Sequence, residues 1–276
     1  MCGERFQELA TIYLGTEYDF NYNPRITQQK EKHKNINDIT YSYNNPTIIF
    51  CYTQHISLLN EKLVFFENPF VLITHNSDDD IVENEHVMNI LSSEKNLHWF
   101  SQNVCIHHDK LSIIPIGVAN SMWGHSNISF YEQNDIEKLH LNKKNKVFMN
   151  FSINTNRNKR QLCFDKTHFK VPFLNNIHSL DNLKRLAEYE FCICPEGNGT
   201  DTHRLWEALY LQSVPIVLNS PFIDVIKKQI NPPLVILDDW NDLNVELLDY
   251  SKYIFDANYF EKLDFFYYKY KILSKI

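Results

Sequence analysis

A chain of 276 residues is long enough for one large domain or two ordinary ones, and a hydrophobic content of 43% rules out disorder as its main state. A net charge of −7 and a pI near 5.9 exclude a general nucleic-acid or membrane-surface binder, so any phosphate must be held by a local site rather than by a broad basic field.

The opening MCGERFQELATIYLG lacks the basic-then-apolar layout of a signal peptide, and no run approaches the length of a membrane span. The six cysteines show no metal-ligand spacing. Cys192 and Cys194 stand two apart on an expected strand, where they share a face and cannot easily bridge. The expectation is a cytoplasmic protein with reduced thiols.

Residues 1–45 are polar and irregular and suggest no regular element. TIIFCY (47–52) and FVLIT (70–74) are short continuous apolar runs, as buried parallel strands tend to be, and HWFSQNVC (98–105) and LSIIPIGV (111–118) are weaker strand candidates. HISLLNEKLVFF and ENEHVMNILSS between them have helical spacing, so the segment alternates strand and helix in the manner of an α/β sheet. The polar stretch 119–146 reads as a link. Alternation resumes with strand KVFMNFS, helix NKRQLCF, HFKVPF in a strand position, helix SLDNLKRLAEY, and strand EFCICPE. Then follow strand VPIVLN, helix FIDVIKKQ and strand LVILDDW. The tail YFEKLDFFYYKYKIL reads as one amphipathic helix. Two Rossmann-like lobes are expected, 1–135 and 136–276, with the C-terminal helix free to return across the body and ligands at the carboxyl ends of the strands.

The densest stretch is CPEGNGTDTHRLWEAL, residues 194–209. A strand ending in a glycine-bearing loop and restarting as a helix near Thr202 presents unsatisfied N–H groups to an anion. Helix-end charge contributes only about 0.3–1 kcal/mol, or about 2 when partly buried, so a cation is also needed. Arg204 stands in the first turn, and Arg157 or Arg160 can approach from the neighbouring loop. A guanidinium fork suits phosphate. Glu207, three residues after Arg204, is repelled by phosphate but can accept both hydroxyls of a ribose. The loop is neither a P-loop, lacking Gly-Lys-Ser/Thr, nor the dinucleotide fingerprint, whose glycine spacing differs. A glycine-rich strand-to-helix turn and an Arg–Glu surface pair are equally an ordinary structural arrangement.

FCICPEGNGTDTHRLWEALYLQSVPIVLN resembles the donor-binding segment of exostosin-like glycosyltransferases. There an apolar strand leads into C-P-x-G-N-G-x-D-[ST]-x-R, then W/F-E-A-L and a strand opening with I/V-P. More distantly it is similar to the E-N-x…E-K-x-x-N-A-L…P-V-V-L segment of α1,3-fucosyltransferases. The upstream VFMNFSINTNRNKRQ also resembles the first strand and loop of those donor lobes, so the likeness spans residues 146–220. It implies a two-lobe GT-B fold and an inverting transfer from a nucleotide-sugar, UDP-linked by preference, to a glycan hydroxyl. No metal or cofactor is needed. It also implies donor contacts at Gly197, Asn198, Gly199, Thr200, Asp201, Thr202, Arg204 and Glu207, with Glu196 facing the sugar.

The first lobe shows no such likeness, and the catalytic base must be sought there. HNSDDD places His75, Asp78, Asp79 and Asp80 after a strand. Asp78 is the first choice and His75 the second, or its orienting partner, although three adjacent acids often merely cap or solvate a loop. His55 and Asp80 are candidates for the acceptor side. Two other readings stay open. FVLITHNSDDD also resembles the strand-then-DxD arrangement of metal-dependent glycosyltransferases, with Asp78 and Asp80 as ligands. Alternatively the chain binds a nucleotide-sugar or carbohydrate without turnover.

Overall fold

The computed structural model describes every residue except 23–25, 41, 43–46, 124, 125, 127 and 176–178. The chain forms two compact units. The first comprises residues 1–116, 120–122 and 264–276, the second residues 117–119 and 123–263. Each contains one parallel sheet with helices, an α/β organisation compatible with Rossmann-like lobes. The passage between units falls at 117–123 rather than at 135/136, and the last thirteen residues rejoin the first unit.

In the first unit, β1 (Ile12–Gly15), β2 (His33–Asn35), β3 (Ile48–Tyr52), β4 (Phe70–His75), β5 (Asn96–Ser101) and β6 (Leu111–Ile113) run parallel in the order β2-β1-β3-β4-β5-β6. Helices α1 (Gly3–Glu8), α2 (Glu17–Tyr22), α3 (Ile56–Lys62) and α4 (Glu85–Ser92) accompany them. One face of the sheet, with Tyr13, Phe50, Val71, Ile73 and Phe100, packs with Phe6 of α1 and with Phe265, Tyr268 and Ile272 near the C-terminus. Alternation places Ile49, Cys51, Leu72 and Trp99 on the other face, all fully buried. Burial on both faces is why β3 and β4 read as unbroken apolar runs. Gly3 lets α1 approach the end of β4, since a Cβ there would collide with the side chains of Asn76 and His75.

The strand order reverses between β1 and β3, the place where open α/β sheets form a ligand crevice. The elements of residues 1–45 are absent from the sequence expectation for a physical reason. β1 has four residues and β2 three, too few to show a period, and β1 gains its identity by pairing on both edges.

In the second unit, β7 (Asn145–Phe148), β8 (Tyr189–Ile193), β9 (Val214–Leu218) and β10 (Val235–Leu237) lie parallel in sequence order. Its helices are α5 (Ile128–Gln133), α6 (Arg157–Thr167), α7 (Ser179–Leu186), α8 (His203–Tyr210), α9 (Pro221–Gln229) and α10 (Ala257–Leu263). One sheet face, with Val147, Met149, Phe191, Ile193, Val214 and Ile216, packs with Cys163 of α6 and with Trp240 and Leu243.

HFKVPF is not a strand. Val171 and Phe173 instead turn into this core after α6, and only Leu174 N donates to the β7 side, at Met149 O. The tail is two helices, α10 and α11 (Phe265–Leu273), because Asp264 takes an extended conformation and its side chain caps the Phe266 N–H. All six cysteines are free. Among the described residues, no helix is long and apolar enough to cross a membrane.

Candidate functional site

At the carboxyl end of β8 the chain stays paired through Cys194, whose N–H donates to Ile216 O of β9, then turns through Pro195–Thr202 into α8. The turn is internally closed by Gly197 N–H donating to Gly199 O at 3.1 Å. From the start of α6 two side chains reach it. Asn156, which also caps α6, donates Nδ2 to Gly197 O at 2.6 Å, and Arg160 donates Nε to Glu196 O at 2.9 Å. Arg160 Nη1 donates to Ser152 O, and Nη2 lies so close that a Cβ on Gly197 would stand 3.2 Å from it. A side chain at Gly197 would press on the guanidinium, which would have to give by a few tenths of an ångström.

Arg160 is 9% exposed, and among the described residues no carboxylate lies within ion-pair distance of it. Burial, and next the charge of Arg204, pull its basicity down to about 10. An anion beside the loop would relieve both. The N-cap residue Thr202 has extended backbone, and its side chain does not cap α8.

Arg204 and Glu207 face each other, Nε to Oε2 at 3.0 Å, with side chains 16% and 13% exposed. Arg204 Nη1 donates to Asn150 O, and its guanidinium lies 5.6 Å from the centre of the Phe148 ring. The pair is therefore largely interior, neither a surface ornament nor two independent ligand groups. Asp201 is also turned inward, accepting the indole N–H of the fully buried Trp206 at 2.5 Å. Glu196 is engaged by Lys159 in an ion pair. Arg157, the first residue of α6, is exposed. Asn198 is exposed on the loop, while Gly197 and Gly199 are buried in it.

Beside the loop, a cavity of about 230 Å³ opens between the ends of β8 and β9, lined among others by Lys159, Glu196, Thr200, Thr202, Asn219 and Trp240. Lys159 and Asn156 are groups the sequence reading did not select. Their signal was proximity in VFMNFSINTNRNKRQ to the arginines it did select. The segment 171–180, where contacts to a nucleotide base were expected, includes residues 176–178, which lie outside the described residues.

In the first unit the histidine of HNSDDD, His75, expected as the second choice of base or its orienting partner, is interior. It is 1% exposed. Its Nε2 donates to Pro115 O at 3.2 Å, and its Nδ1 lies 2.8 Å from Asn76 N and 3.1 Å from Asn76 Oδ1. Asp78, Asp79 and Asp80 are exposed on the loop after β4. Among the described residues no group of three or more His, Cys, Asp or Glu is arranged to hold a metal ion.

His55 has a partner that the sequence does not announce. Its Nε2 stands 2.7 Å from Asp19 Oδ2, across 36 residues. Asp19 also accepts Thr16 N and Oγ1, both at 2.7 Å, and Gln54 Nε2 at 2.9 Å. Burial opposes ionisation of Asp19, but the hydrogen bonds from His55 and Thr16 outweigh it and hold the carboxyl at about 2.

The chain matches no protein-family model and no curated protein. In the second unit one buried guanidinium, that of Arg160, meets the glycine loop ahead of α8 with no carboxylate within ion-pair distance among the described residues. A guanidinium so placed has the donor chemistry to take an anion.

Proposed function

We propose that this protein is a glycosyltransferase that moves a sugar from a nucleotide-diphosphate donor, UDP-linked by preference, to a glycan hydroxyl with inversion and without a metal. The supporting observation is Arg160. A buried guanidinium bonded, among the described residues, only to backbone carbonyls, with Nη2 against Gly197, is the complement a diphosphate needs. The likeness of residues 146–220 to exostosin-like donor segments supplies the sugar-nucleotide character. A GT-B arrangement of the lobes and a cytoplasmic location belong to the same proposal. In it Arg160 and the α8 amides take the diphosphate, Thr200 and Thr202 supply hydroxyls, and Arg204 with Glu207 shapes the site wall.

A thermal-shift series with UDP, GDP and the other nucleoside diphosphates tests it. A ligand at a hundred times its Kd stabilises the folded state by about 2.7 kcal/mol, a shift readily measured. UDP should raise the midpoint most. If no nucleoside diphosphate moves it, the reading is wrong.

A further inference from the structure

Lys159 and Glu196 form an ion pair at the glycine loop, with side chains 57% and 25% exposed. Both line the cavity of about 230 Å³ at the ends of β8 and β9, and they are the only charged residues that do so among the described residues. Thr200, Thr202 and Asn219 add uncharged polar groups, and Leu162, Phe222 and Ile223 form part of its apolar wall. The cavity is therefore neutral only while ammonium and carboxylate hold each other.

The backbone under this pair is fixed. Asn156 accepts Lys159 N–H through Oδ1 at 3.2 Å and donates through Nδ2 to Gly197 O, which pins the first turn of α6 to the loop. Arg160 Nε donates to Glu196 O at 2.9 Å. Two consecutive cationic residues of α6 thus meet one loop residue, Arg160 at its carbonyl and Lys159 at its carboxylate. They differ in freedom. Arg160 is buried, whereas more than half of the Lys159 side chain lies in solvent on a flexible four-carbon stem. An ion pair this exposed contributes little, while a diphosphate concentrates more negative charge in one place than a single carboxylate does. An anion beside Gly197 would draw the ammonium and repel the carboxylate.

We propose that Lys159 is a second cation of the diphosphate site and that Glu196 occupies it in the free protein, so that the incoming diphosphate displaces the carboxylate. This rests on the glycosyltransferase reading. Glu196 then acts as a competitor for Lys159 rather than as a contact to the sugar. Every group involved belongs to the second unit.

The test is calorimetric titration of the full chain, at low and at high salt, with UDP or with whichever nucleoside diphosphate the wild type binds tightest. Lys159→Gln removes the ammonium and keeps most of the length. It should bind about tenfold more weakly at low salt, and the gap from wild type should narrow at high salt, because a charge contact is screened. Lys159→Arg should keep most of the affinity. Glu196→Gln removes the competitor and should bind about two- to fivefold more tightly than wild type, the weight of an exposed ion pair. All three variants should unfold near the wild-type midpoint. Unchanged affinity in Lys159→Gln overturns this inference alone, as does a loss that salt leaves untouched. So does a Glu196→Gln variant that fails to bind more tightly; weaker binding would make the carboxylate a direct ligand contact. Wild-type protein that binds no nucleoside diphosphate overturns the glycosyltransferase reading and this inference with it.

Discussion

Arg204 and Glu207, one turn apart on α8, hold each other at 3.0 Å in a largely buried pair, and the same arginine ties α8 to the end of β7 through Asn150 O. This makes Arg204 a structural member of the donor site as much as a phosphate ligand. Arg204→Ala would strand a carboxylate and a carbonyl together. The expected loss is about 3 kcal/mol, because removing one partner of a buried pair leaves an uncompensated charge. Urea denaturation reads it, and a midpoint unchanged from wild type would return Arg204 to the surface. Arg204→Lys should fall between, since it keeps charge but not the fork.

Arg160 is the cleaner probe of anion binding. Its partners are the backbone oxygens of Glu196 and Ser152. Arg160→Lys retains a cation but loses the planar donor set, so UDP affinity should drop at least tenfold, about 1.4 kcal/mol. Calorimetry giving equal affinities for variant and wild type would place the diphosphate elsewhere.

Asp201 and Trp206 give a contrast in acceptor chemistry. Asp201→Ala leaves the buried indole N–H without an acceptor, at a cost of about 1–3 kcal/mol. Asp201→Asn keeps an oxygen in place and should lose markedly less. Equal destabilisation by the two changes would show that charge at the start of α8, rather than the hydrogen bond, is what matters there.

Acid stability should report on Asp19. Its carboxyl titrates near 3.8 when unfolded and is held at about 2 when folded. The folded pKa is depressed, so the stabilisation is complete above about pH 4 and is lost as the pH falls toward 2. It amounts to about 2 kcal/mol at 1.36 kcal/mol per pKa unit. The stability difference between wild type and Asp19→Asn, from urea titrations at pH 5, 4, 3 and 2.5, should therefore shrink on acidification. A difference that stays constant over that range would mean Asp19 is not held ionised by its donors.

Local pattern carried the sequence a long way. β3, β4, β8 and β9 are runs buried on both faces, and their apolar continuity is a property of the residues themselves. The strand, glycine loop and helix around residues 194–210 were legible for the same reason, since each step is dictated by residue type over a few positions. What the tertiary structure decided is partnership across sequence distance. Asp19 meets His55 only because β1, too short to show a period, pairs parallel to β3 with Leu14 beside Cys51. His75 is tied to Pro115 O, forty residues away. Asp201 and Arg204 follow one another in a motif that reads as a row of ligands, yet burial turned one toward an indole and the other toward Glu207. Which way a polar side chain faces depends on what the fold brings against it, and buried donors and acceptors take the partner that satisfies them.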